Sequence, residues 1–298
     1  MAPPTGSVYL KSVSCLVAYF GNEPENMACA LFSARGALYS RSTDRPQGWG
    51  LGFVQAGDVL LQKRPRADTK EVDLYGLAKD LRADALVGCV GLSRDGNTSA
   101  EDADPFRFRS WLFGSVGRVS STGFEGVRER LLESVPDFLR RNIRGKSPSE
   151  HIFHLFLSFM HDAGILDAPS PAPAAVQRAL RHSLAFLDRL LSGNGDEHPS
   201  GHSSLALVAT NGRCLVATST AFPMQFLEVE GISDCPVCHG RPDANRDGRR
   251  VPHDALRAVV IEANPATAGR PGWKPIADRS ALIVGSDRVP HVVALNGD

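Results

Sequence analysis

Net charge is the first thing the sequence lacks: Lys plus Arg and Asp plus Glu number 33 each over 298 residues. A balanced surface offers no long-range field to a polyanion, so no nucleic-acid partner is expected. Long apolar runs are also missing. Nothing approaches the roughly 18 consecutive apolar residues of a membrane helix, so no membrane partner is expected. The start of the chain lacks the basic-then-apolar pattern of a secretory leader. Cysteine is scarce, with six residues at positions 15, 29, 89, 214, 235 and 238. Cys15, Cys29, Cys89 and Cys214 stand alone among apolar neighbours and read as reduced thiols, which implies a reducing, cytoplasmic setting. Hydrophobic residues still make up 42% of the chain, enough for a sizeable core.

The patterning alternates between strand and helix signals. Ser12 to Phe20 reads as a buried strand and Asn26 to Arg35 as a helix. Trp49 to Arg64 reads as a hairpin turning at Ala56-Gly57-Asp58, and Leu205 to Ser219 as a second one turning at Asn211-Gly212. Helical spacing runs from Phe124 to Arg141 with a break near Pro136, and again from Ala174 to Leu191. Between them, Ser147-Pro148-Ser149-Glu150 spells a capping box with proline at the first helical position. Further strands are expected near Ala258 to Glu262, Ala281 to Val284 and Val292 to Leu295. Strands at both ends with helices between them predict an α+β fold of two sheets covered by helices. His151 and His154 are expected on a helix surface, and Asp102 and Asp104 as solvated loop acids.

The sharpest local motif is Cys235-Pro236-Val237-Cys238-His239. Its Cys-x-x-Cys knuckle can give two thiolates to zinc, with His239 or His253 as a third ligand. A redox pair, a haem attachment sequence and an ordinary loop are the competing readings. Pro, Gly and charged residues around it predict a peripheral insertion over residues 233–252.

Four segments, taken in order, resemble the class II (Ntn-type) glutamine amidotransferases, most closely their compact stand-alone bacterial members. They are Cys15-Leu16-Val17-Ala18-Tyr19; Gln47-Gly48-Trp49-Gly50-Leu51-Gly52-Phe53; Asp104-Pro105-Phe106 with Trp111-Leu112-Phe113 and Gly117; and the Leu205 hairpin with the strand leading to Asn264-Pro265. The resemblance implies one four-layer αββα sandwich of Ntn-hydrolase type over residues 1–298, with residues 1–14 as an N-terminal extension. It implies Cys15 as the nucleophile, Gly117 as a backbone oxyanion donor, and Trp49, Gly50 and Arg94 at the substrate. The substrate would be a glutamine or γ-glutamyl amide, with no cofactor required. A catalytically inactive scaffold, acting in protein interaction or regulation with a partner protein, is the alternative.

Several positions depart from the family pattern. Fourteen residues precede Cys15, so its nitrogen is an amide rather than the amine that serves the family as base. The oxyanion asparagine is replaced by Val116, and the aspartate that would bind the substrate amine falls at Pro148. The substrate arginine belongs near Val90, and Arg94 is the nearest one. Ordinary glutaminase activity is therefore not expected of the full chain.

Overall fold

Cys15–Gly21 (CLVAYFG), strand β1, is buried at every position, which a strand achieves only when both sheet faces are covered. The computed structural model describes residues 14–41, 47–64, 71–92, 99–119, 121–192, 203–238, 252–267 and 269–295. After β1 come α1 (Met27–Ser33), β2 (Tyr39–Arg41), β3 (Gln47–Gln55), β4 (Asp58–Arg64), β5 (Glu71–Asp73), α2 (Leu74–Ala78), β6 (Ala85–Leu92), β7 (Phe106–Phe108) and β8 (Trp111–Arg118). A helical block follows: α3 (Ser121–Glu133), α4 (Asp137–Arg140), α5 (Pro148–Asp162) and α6 (Pro173–Ser192). The remaining strands are β9 (Ser204–Thr210), β10 (Leu215–Thr220), β11 (Met224–Glu230), β12 (Arg257–Ala263), β13 (Lys274–Ile276), β14 (Ser280–Val284) and β15 (Pro290–Ala294).

Two large sheets form. One has seven strands in the order β13-β11-β12-β1-β6-β3-β4, the other six in the order β15-β14-β10-β9-β8-β7. Alternation along β1 decides the layers. Val17 and Tyr19 pack with Met27, Ala30 and Leu31 of α1 on the outer face. Leu16, Ala18 and Phe20 pack inward with Val208, Ala217 and Leu282 of the second sheet. The far face of that sheet sends Trp111 and Phe113 against Phe153, Phe156 and Leu180 of α5 and α6. The order is helix, sheet, sheet, helix, the αββα sandwich.

The glycine-tryptophan-glycine hairpin shares a sheet with β1 but does not lie beside it. Strand β6 intervenes, so that Val90 is opposite Cys15 on one side and opposite Trp49 on the other. Pro136 breaks the first long helix, as its missing N–H and extended ψ of 146° require. The expected capping box is only half made. Ser147 Oγ accepts from Ser149 N at 3.2 Å, but the Glu150 carboxylate accepts from Arg144 N (3.0 Å) and Gly145 N (2.7 Å). Ser147 N and Lys146 N instead donate to Asp102 Oδ1, at 3.0 and 2.6 Å, so Asp102 is an anchor for the start of α5 rather than a solvated acid. His151 and His154 are buried, against expectation. Their Nδ1 atoms each lie 2.8 Å from the carbonyl oxygen four residues earlier, while the buried Nε2 of His154 has no hydrogen-bond partner among the described residues.

Gly50 is required by close approach. A Cβ there would lie 2.0 Å from Asp104 O and 2.8 Å from the Pro105 ring. Gly50→Ala should lower stability by about 1–3 kcal/mol, read as a fall in the urea midpoint at constant slope. Gly91→Ala, where an added Cβ meets nothing within 4 Å, should stay within about 0.5 kcal/mol of the parent. Equal losses in both would show that segment 104–105 yields.

Candidate active site

A cleft of about 360 Å³ opens where the ends of the two sheets meet. Cys15, Trp49 and Val90 wall it from the first sheet, and Ser115, Val116 and Gly117 from β8 of the second. Four of the residues singled out from the sequence, Cys15, Trp49, Gly50 and Gly117, therefore come together. Arg94 lies outside the described residues.

Cys15 is 3% exposed. Its thiol hydrogen-bonds the Ser40 side chain and the Val90 backbone. Burial pushes the thiol up to about 12, the nearby Glu262 carboxylate adds to the rise, and the two hydrogen bonds only partly offset it. The group is thus a neutral thiol at pH 7, and its own nitrogen, acylated by Ser14, has no basic lone pair. Glu262 is fully buried and held in place. Gln225 Nε2 donates to its Oε2 at 2.8 Å, Thr267 Oγ1 donates to its Oε1 at 2.6 Å, and the Arg270 guanidinium lies 3.5 Å away.

Gly117 has φ +128°, a region open to glycine, and a Cβ there would lie 2.0 Å from Ser204 O. Beside it, Val116 belongs to the apolar layer between the sheets and carries no hydrogen-bond donor. Pro148 also lines the cleft.

Two lining residues were not legible as such. Asp104 is half-buried rather than solvated. Ser115 N donates to its Oδ1 at 2.7 Å and Ser115 Oγ at 3.1 Å, while Ser149 Oγ lies 2.6 Å from Ser115 Oγ. Burial raises the Asp104 carboxyl to about 6, the Ser115 bonds and the Lys63 charge opposing the rise. Arg118 contributes a cation at the cleft from the end of β8. Its place directly after Gly117 was the available signal.

On the outer face of the first sheet, Cys29, Cys235, Cys238 and His253 bring their sulfur and nitrogen atoms within 4.8 Å of one another, all four buried. Such a set can hold a metal ion. Cys29, expected alone, belongs to it because α1 packs under the loop that carries Cys235 and Cys238. His253 supplies the imidazole, and the expectation for His239 lies outside the described residues.

No family model matches the chain. The chain is 25% identical over 275 residues to the "Probable glutamine amidotransferase DUG3" of Saccharomyces cerevisiae, a match covering 85% of this chain and 73% of the yeast protein. Its fold matches a glutamine aminotransferase class-II domain protein from Silicibacter pomeroyi with a TM-score of 0.56 at 17% identity, over 95% of this chain and 100% of that one. A predicted glutamine amidotransferase from Pseudomonas aeruginosa superposes with a TM-score of 0.51 at 14% identity, over 95% and 99% of the two chains. The fold is that of the Ntn-type class II glutamine amidotransferases. In sequence and fold the chain is similar to the class II glutamine amidotransferases.

Proposed function

We propose that the cleft is the site of a thiol amidohydrolase of amidotransferase type, silent while Ser14 is joined to Cys15. The observation that carries this is the placement of Cys15 on the wall of a cleft shared with Trp49, Gly50 and Gly117. The ligand is a small amide of glutamine or γ-glutamyl type. In the form that begins at Cys15, the freed α-amine is the base and the thiol the nucleophile attacking the amide carbon. The Gly117 N–H donates to the oxyanion. Trp49 and Gly50 form the substrate wall, with Arg94 as the carboxylate partner carried over from the resemblance. Residues 15–298 act as one unit, with 1–14 as an extension and 233–252 as an insertion. The setting is cytoplasmic. The pocket chemistry needs no cofactor, and zinc is the metal for the separate cysteine cluster. No helix among the described residues is long and apolar enough to cross a membrane, and neither a membrane nor a nucleic acid is assigned as partner.

The test is covalent capture. A chloromethyl ketone shaped like glutamine should add once, at Cys15, to protein beginning at that residue, and excess γ-glutamyl amide should protect it. The full chain should stay unlabelled over the same time, because its thiol is protonated near neutral pH. No adduct on either form would leave the non-catalytic scaffold, a module for protein interaction, as the reading.

A further inference from the structure

We propose that Cys29, Cys235, Cys238 and His253 form a closed structural zinc site that fastens helix α1 to the long connection between β11 and β12. None of the four residues lines the cleft that holds Cys15. Cys29 Sγ lies 3.5 Å from Cys238 Sγ, and Cys238 Sγ lies 3.4 Å from His253 Nε2. A tetrahedral zinc with bonds of about 2.3 Å to sulfur and about 2.0 Å to nitrogen has edges of about 3.8 Å between sulfurs and about 3.5 Å between sulfur and nitrogen. These two separations fall within about 0.3 Å of those edges. They are far too long for a disulfide, whose sulfurs stand about 2.05 Å apart.

The donor set fits zinc on chemical grounds. Three thiolates and one imidazole suit a borderline-soft cation in tetrahedral coordination, and four protein ligands leave no position for water or substrate. The site is therefore structural. Each thiol surrenders a proton on binding, so loading is favoured as pH rises and releases protons.

The fold shows what the metal would hold. Strands β11 and β12 are adjacent and antiparallel, yet residues 231–256 join them. The usual connection in a compact domain is about 4–6 residues. The base of this one is fixed by a short ladder, Ile232 N donating to His253 O at 3.2 Å and His253 N to Ile232 O at 2.8 Å. That ladder sets His253 beside the Cys235–Cys238 knuckle. Cys29 reaches the same point from α1, a helix whose Met27, Ala30 and Leu31 pack against the first sheet. Zinc would thus join two segments more than two hundred positions apart in sequence.

The experiment uses the full chain purified under reducing conditions without chelator. Elemental analysis should find about one zinc per chain, falling at least about tenfold in Cys29→Ser and unchanged in Cys214→Ser. Replacement by cobalt(II) should give the intense visible bands of a tetrahedral ion and a near-ultraviolet sulfur-to-metal transition. Because Cys29→Ser alters a buried position, alkylation of the unaltered protein supplies an independent reading. Cys29, Cys235 and Cys238 should be protected together and become reactive together on adding a strong chelator, with Cys15, Cys89 and Cys214 unaffected. Zinc absent from the unaltered protein, zinc retained by Cys29→Ser, an octahedral cobalt spectrum, or labelling indifferent to chelator would each overturn the site.

Discussion

Ammonia release from glutamine by the form beginning at Cys15 should rise about 100- to 1000-fold when Val116 is replaced by Asn, the size of effect expected of one oxyanion donor. Val116 sits beside Gly117 on the cleft wall, and valine offers no hydrogen bond to a developing oxyanion. Asn is no larger than Val, so the change places an amide where the family resemblance puts one without overpacking, at the cost of a polar group beside the apolar layer. The donor helps only if a thiolate is there to attack. In the full chain burial holds the Cys15 thiol up at about 12, and the acylated nitrogen supplies no base. Full-length protein should therefore stay at the background rate with either residue at position 116, and Cys15→Ala should silence every form. The two changes act on one transition state, so their effects multiply only when both are present. Robust turnover by the unaltered full chain, abolished by Cys15→Ala, would refute the silent state. No gain from Val116→Asn in the shortened form would show that the amide carbon does not reach Gly117.

Much of the fold was legible because its signals are local. The strand at Cys15, the turn at Asn211-Gly212 with φ +75° at Gly212, and the break at Pro136 each follow from residue types acting over a few positions. What escaped was pairing at long range. β6 separates β1 from β3, because sheet order depends on contacts that no short window contains. Strand β11 (MQFLEVE) lies where no strand is expected from the sequence, although Met224 and Phe226 alternate with polar Gln225. Asp104 read as a loop acid because acidic residues surround it, and only the fold shows Ser115 and Ser149 closing over it. The same limit hid Cys29. Its sequence neighbours are apolar, and its three partners lie at the far end of the chain.

The Asp104 carboxyl should make the protein lose stability as pH rises from about 4 to about 7, opposite to the usual behaviour of a paired carboxylate. Its folded value is raised to about 6 from the ordinary 3.8, chiefly by burial. Between those values the folded protein keeps a proton that the unfolded chain has released. Raising pH through the window therefore favours unfolding, and below it the two states bind equally and the effect vanishes. A shift of roughly two units corresponds to about 3 kcal/mol, fully expressed above the folded value. Asp104→Asn isolates the group, since its side-chain oxygen can still accept from Ser115 N while carrying no charge. Urea midpoints of the two proteins, compared at each pH, cancel the contributions of other titrating residues. The variant should match the parent near pH 4 and exceed it by up to about 3 kcal/mol at pH 7.5. A difference that is constant with pH, or that shrinks as pH rises, would mean that the carboxylate is stabilised in the cleft. Ser115, Ser149 and Lys63 would then be the groups that hold its charge rather than merely offset its burial.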